Sequence, residues 1–122
     1  MIRGQVSDDL EACVTLEVLG SDNRRRSTKT VVDTGFTGSL TLPARYIREL
    51  GLAFVGHTSA RLADGSAVAL RRFLARVDWL GQLREVVVLE AEGGPLCGMA
   101  LLQGHDLSVT VRVGGRVEII PS

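Results

Sequence analysis

The sequence predicts a single all-β domain, residues 1–122, with one or two short helices, and three observations carry that expectation. The length of 122 residues is that of one ordinary domain, enough to bury a core and short for two complete lobes. Short runs rich in Val, Leu and Thr alternate apolar with polar positions and are separated by Gly, Asn, Asp and Pro clusters, the pattern of strands and turns. Only one segment, "PARYIRELGL", has both a helix start and a helix stop.

Along the chain, "ACVTLEVLG" alternates Val14, Leu16 and Val18 against polar or smaller neighbours and reads as a half-buried strand. It ends in the turn cluster "GSDNRRRS", whose residues 24–27 are expected at a solvated hairpin tip. Residues 27–32, "STKTVV", become wholly apolar toward Asp33, which places that aspartate at the inner end of a strand. "SLTLP" alternates again, and Pro43 is expected at the first helical position, with Gly51 at the C-terminal cap. "HTSARLADGSAVALRRFLARVDWL" reads as a long hairpin about a two-residue Asp64-Gly65 turn. Gly81 and Gln82 turn the chain into the strand "LREVVVLEA", and "EGGP" breaks it. "PLCGMALLQGHD" opens apolar and passes through Gly98 into a short helix, and "LSVTVRVGGRVEII" closes the chain as a hairpin about Gly114-Gly115.

Composition narrows the function classes. The 14 Lys+Arg balance 14 Asp+Glu at a pI near 6.7, so no global field recruits nucleic acid or an anionic membrane. Cys13 and Cys97 are far apart and neither has a second Cys or a His at ligand spacing, so free thiols in a reducing cytoplasm are expected, with no metal and no cofactor. The N-terminal stretch lacks a continuous apolar h-region, and no run approaches the roughly 20 apolar residues that span a bilayer. A soluble, cytoplasmic protein is the expectation.

The chemistry concentrates in "TVVDTGFTGSLTLP". Two carboxylates about 3 Å apart can share one proton, because like charges so close cannot both ionise. The ionised one then serves as general base to a water and the protonated one donates to a carbonyl oxygen. In Asp33-Thr34-Gly35 the glycine permits a tight path that aims backbone N–H groups at the carboxylate, and the threonine hydroxyl can reach a partner loop. The motif resembles that of the retropepsin-like aspartic peptidases, most closely their small single-domain bacterial and archaeal members. The resemblance covers most of the chain: "ARLADGSAVAL" is similar to the flap hairpin, and "PLCGMALL" to the apolar-apolar-Gly element before a short helix. It implies a closed acid-protease β-barrel and an aspartic endopeptidase in which Asp33 is catalytic. Thr34, Gly35, Thr37, Leu96, Cys97 and Gly98 would support the site, and Leu62, Ala63, Asp64, Gly65 and Ser66 would close over substrate. Gly98 is expected where a strand passes beneath the Asp33 loop and a Cβ would press on it. The chain departs from the wider family at Phe36, where a small or hydroxylated residue is often found.

Counting sets the assembly that the resemblance implies. The chain holds one Asp-Thr-Gly, so a carboxylate pair requires a homodimer with one site on the two-fold axis, acting on a peptide or protein. The terminal segments, Ile2 to Val6 and "RVEII", are the interface candidates by resemblance, since a monomer would leave their edges open. A non-catalytic dimeric binding or regulatory domain is the alternative. Other residues have plainer readings: His57 and His105 as strand or loop residues, Cys97 as a small core residue, Asp64 as a turn-former, and Trp79 and Phe73 in the core or at an interface.

Overall fold

A computed structural model describes all of residues 1–122. The chain is mostly β, with ten strands in one sheet and two short helices. The strands are β1 (Ile2–Val6), β2 (Ala12–Leu19), β3 (Arg25–Val32), β4 (Leu40–Leu42), β5 (Ala53–Arg61), β6 (Ala67–Trp79), β7 (Gln82–Glu90), β8 (Leu96–Cys97), β9 (His105–Val109) and β10 (Arg116–Pro121). The helices are α1 (Ala44–Leu50) and α2 (Met99–Leu102). The spatial order is β5-β6-β7-β4-β8-β3-β2-β1-β10-β9. β6 also pairs with β2, through Glu17↔Asp78, Val18↔Val77 and Leu19↔Arg76, so six of the strands follow one another in a ring of pairings. No helix is long and apolar enough to cross a membrane.

The period-two pattern is what fills the interior. Val14, Leu16 and Val18 of β2, Phe73, Ala75, Val77 and Trp79 of β6, and Val86 and Val88 of β7 are all buried, each separated by a less buried neighbour. They belong to one apolar cluster of 19 buried residues that also includes Ile47 and Leu50 of α1, Leu101 and Leu102 of α2, and Val117 and Ile119 of β10. Trp79 and Phe73 therefore belong to the core. β4 is buried at all three positions, and Thr41 meets its polar need by accepting a hydrogen bond from Leu96 N–H at 2.9 Å.

Several boundaries differ from the sequence expectation, for local reasons. Pro43 is the N-cap of α1, one residue before the first helical position, and its carbonyl accepts from Tyr46 N–H at 3.0 Å. Gly51 caps the other end at φ +61°, and Leu52 N–H bonds Ile47 O behind it, a Schellman arrangement. The tip of the β2–β3 hairpin is the 3-10 turn Ser21–Asn23, with Asp22 and Asn23 at positive φ. Residues 25–27 thus lie on β3, and Arg26 leaves solvent to stack 3.7 Å over the Tyr46 ring and pair with Glu49 at 2.6 Å. Asp64-Gly65 is not a two-residue turn. Gly65 N–H bonds Leu62 O at 3.0 Å and Leu62 N–H bonds Ser66 O at 2.8 Å, so the loop has three residues, closed by Gly65 at φ +87°. The β6–β7 turn is Leu80-Gly81, one residue earlier than expected, and the last hairpin has a longer loop before Arg116.

The terminal strands need no second chain to complete their ladders. β1 lies between β10 and β2, with Ile2↔Ile119 on one edge and Gly4↔Val14 on the other, and β10 lies between β1 and β9. The sheet's unpaired edges belong to β5 and β9.

Candidate functional site

Asp33 sits where β3 runs out, and its position is set by β8 beneath it. Val31 and Val32 pair in parallel with Leu96 and Cys97, and Asp33 N–H continues the ladder to Cys97 O at 2.9 Å. The chain then turns at once: Phe36 N–H bonds Asp33 O at 3.1 Å, and Gly35 N–H donates to Asp33 Oδ1 at 2.9 Å. The half-buried carboxylate is thus both turn-former and held acceptor, with one oxygen engaged by the backbone. Thr34, Gly35 and Thr37 are exposed along this loop.

Three further backbone bonds clamp the loop to the segment after β8. Gly98 N–H bonds Ser39 O at 2.9 Å, Met99 N–H bonds Phe36 O at 2.8 Å, and Ala100 N–H bonds Gly38 O at 3.1 Å. The approach leaves no room for a side chain at Gly98. A Cβ there would fall inside van der Waals contact of Gly38 O and Phe36 Cδ2, and 2.8 Å from Phe36 O. Phe36 packs against both glycines, since a Cβ on Gly38 would lie 2.5–3.4 Å from its ring. Its aromatic bulk is matched by two neighbours without side chains. Cys97, in the same segment, is fully buried, and that burial pushes its thiol up to about 12, which makes it a core group and not a nucleophile.

The loop is flanked by two separate hollows. One, of about 650 Å³, is lined by residues 35–39 of the loop, residues 58–61 of β5, Arg72 of β6, Val87 and Leu89 of β7, and Ala100. The other, of about 500 Å³, is lined by Asp33 and Thr34 together with Val31, Val32, Leu96, Leu10 and Val111 among others. Leu10 and Val111 are 61% and 76% exposed, and Leu10 holds φ +61°, a conformation a leucine adopts only with strain.

The structure brings together some expected site residues and separates others. Asp33, Thr34, Gly35, Leu96, Cys97 and Gly98 form one backbone-bonded cluster, and Thr37 joins the loop's cleft face. Leu62, Ala63, Asp64, Gly65 and Ser66 form the exposed tip of the β5–β6 hairpin and do not line the cleft; the shank, residues 58–61, does. Asp64 is absorbed by its own turn, accepting from Ser66 Oγ at 2.6 Å and Ser66 N–H at 2.9 Å, which hold its carboxyl below the ordinary range. His105 is fixed by chemistry. Trp79 Nε1 can only donate, so His105 Nε2 accepts at 3.0 Å and Nδ1 carries the proton toward Gln103 O at 3.0 Å. No three His, Cys, Asp or Glu side chains gather as a group that could hold a metal ion. Arg72 was not singled out from sequence. Its one available signal was the pair Arg71-Arg72, which interrupts the alternation of β6 and must point to opposite faces.

No family model, no curated protein and no solved structure matches the chain. The chemistry of the site therefore rests on its own geometry.

Two measurements check that geometry. Gly98→Ala is expected to lower unfolding free energy by roughly 2 kcal/mol or more, with or without Phe36→Ala, because the obstructing atoms include backbone. Gly38→Ala, whose obstruction is the Phe36 ring alone, should cost roughly 1–3 kcal/mol in wild type and much less in a Phe36→Ala background. Denaturant titration of the three single and two double variants reads both. A second check uses pH. The unfolded chain loses the Cys97 proton near pH 8.5 and the folded chain only near 12, so between these values the unfolded state binds fewer protons. Stability from this group is complete below about pH 8.5 and is lost as pH rises toward 12. Urea titrations at pH 8 and pH 11 should show a larger loss for wild type than for Cys97→Ala.

Proposed function

We propose that the protein is an aspartic endopeptidase of the retropepsin-like kind, active as a homodimer in which two Asp33 carboxylates meet and activate one water. The observation that carries this reading is the Asp33-Thr34-Gly35 turn held on the Leu96-Cys97-Gly98 segment, with the Gly35 N–H on the carboxylate and no side chain beneath the loop. The ring of six paired strands around the core supports the corresponding barrel. A closed β-barrel would hold the turn rigidly, as a preorganised catalyst requires.

The hollow beside Asp33 supports the dimer. Its lining is mainly apolar, the carboxylate is at its edge, and Leu10 and Val111 project from it into solvent. A second copy related by a two-fold axis would cover these side chains and bring its own Asp33 to the first. The terminal strands, already paired on both edges, would contribute side chains to such an interface and not a shared ladder.

In the proposed reaction, one Asp33 is ionised and its partner's carboxyl is protonated. The ionised group takes a proton from water as the oxygen attacks the peptide carbonyl carbon, and the protonated group gives its proton to the carbonyl oxygen. The tetrahedral species collapses as the Asp33 that took the water proton passes it to the amide nitrogen, the C–N bond breaks, and one hydroxyl of the diol returns its proton to the other carboxylate, leaving an acid and an amine. The hairpin shank, residues 58–61, would hold an extended substrate against the loop by main-chain hydrogen bonds.

The second reading, a non-catalytic dimeric binding domain, draws on one observation: the larger cleft is lined from Gly35 onward, and Asp33 itself faces the other hollow. Asp33→Asn separates the two. It should abolish cleavage of a denatured protein while the sedimenting dimer persists, and wild-type specific activity should fall on dilution as dimers dissociate. Undiminished turnover by pure Asp33→Asn would sink the catalytic assignment.

A further inference from the structure

The cleft under the hairpin has a charge imbalance that water activation does not use. Arg61 and Arg72 both line it, and no Asp or Glu does. Other strand arginines have partners: Arg25 with Glu17 at 3.2 Å, Arg26 with Glu49 at 2.6 Å and Arg71 with Glu90 at 3.5 Å, while Arg76 and Arg84 donate to the carbonyls of Gly20 and Leu101. Arg72 follows Arg71 in β6 and so points to the opposite face, opposite Leu89 of β7. It is half-buried, and its guanidinium has neither an ion pair nor a side-chain hydrogen bond. Arg61 is exposed and donates to Gly65 O at 2.9 Å, which steadies it without neutralising it.

An arginine set beside apolar surface and left unpaired keeps its full fork of donors available. An anion placed against it gains a charge-assisted bond whose geometry a carboxylate can meet with both oxygens. The rest of the lining indicates what carries the anion. Phe36, Val87 and Leu89 supply apolar surface, and β5 is an edge strand of the sheet with its outer main-chain groups unpaired. That combination suits an extended polypeptide, added along β5 and inserting alternate side chains, better than a small free ion.

We infer that the cleft selects extended peptides by an acidic side chain, whose carboxylate pairs with Arg72 while a neighbouring apolar side chain packs on Phe36 and Leu89. Arg61 adds attraction for the approaching anion. This names the substrate class of the proposed peptidase and rests on that reading for turnover, though not for binding.

The test uses fluorescein-labelled peptides of Val, Ala and Phe in which one position, scanned along the peptide, is Glu, Gln or Lys. Anisotropy on Asp33→Asn protein reads binding without cleavage, and kcat/KM on the Asp33 enzyme reads turnover. The best Glu peptide should bind about tenfold or more tightly than its Gln counterpart. Arg72→Gln, its fold verified by circular dichroism, should reduce that preference to about twofold or less, and Arg72→Glu should invert it toward Lys. Arg71→Gln, on the other face, should leave it unchanged. Equal binding of Glu and Gln peptides, no binding of any, or a Glu preference that survives Arg72→Gln would overturn the inference. Arg72-dependent Glu preference without cleavage by wild type would uphold it and sink the peptidase reading; cleavage without Glu preference would do the reverse.

Discussion

The close approach of two backbones at Gly98 is the constraint on which the site depends. Asp33 can turn where it does because β8 bonds it from beneath and the segment just after β8 bonds the following loop at Ser39, Phe36 and Gly38 through successive N–H groups. A ladder this tight requires a residue without Cβ at Gly98, and the large ring of Phe36 then requires a second one at Gly38. Burial of Cys97 and the Thr41 hydroxyl bonded to Leu96 N–H fix the same segment from the core side. The carboxylate is positioned by peptide groups and packing, so it needs no charged neighbour to hold it.

Much of this was legible in the sequence because the signals were local. Val14, Leu16 and Val18 announce one face of β2, Gly51 announces the end of α1, and Gly98 announces a close approach. Turn boundaries were less legible. An Asp-Gly pair is compatible with a two-residue or a three-residue loop, and the choice was made by Gly65 adopting the conformation that closes a bulge. Arg26 illustrates a different loss: in sequence it is one of three like charges, but α1 supplies Tyr46 and Glu49, and stacking plus pairing draws it off the surface. The partition of the site into two hollows was invisible, since it depends on which strand edges face the loop. So was the lining of the cleft by the hairpin shank, residues 58–61, in place of its tip.

Phe36 takes on a clearer meaning from its seat. A small hydroxylated residue at that position would leave the space over Gly38 and Gly98 unfilled, whereas the ring occupies it and borders the larger cleft. Packing and cleft shape are therefore set by one side chain. The packing of the loop and the cleft's apolar surface cannot be tuned independently here.

The pairing of Ile2 with Ile119 has a consequence for how the molecule comes into being. β1 is made long before β10, so one of its two edges stays bare until β10 has emerged from the ribosome. The ladder between them closes a loop running from Ile2 to Ile119, and the hairpins formed in between shorten the free chain that must be closed. During synthesis, the early strands would have to wait as a half-finished sheet, which is when chaperone capture or pairing with a neighbouring nascent chain competes with folding. The same adjacency of Ile2 and Ile119 would let a short linker between residues 122 and 1 turn that long closure into a local one in a circular permutant.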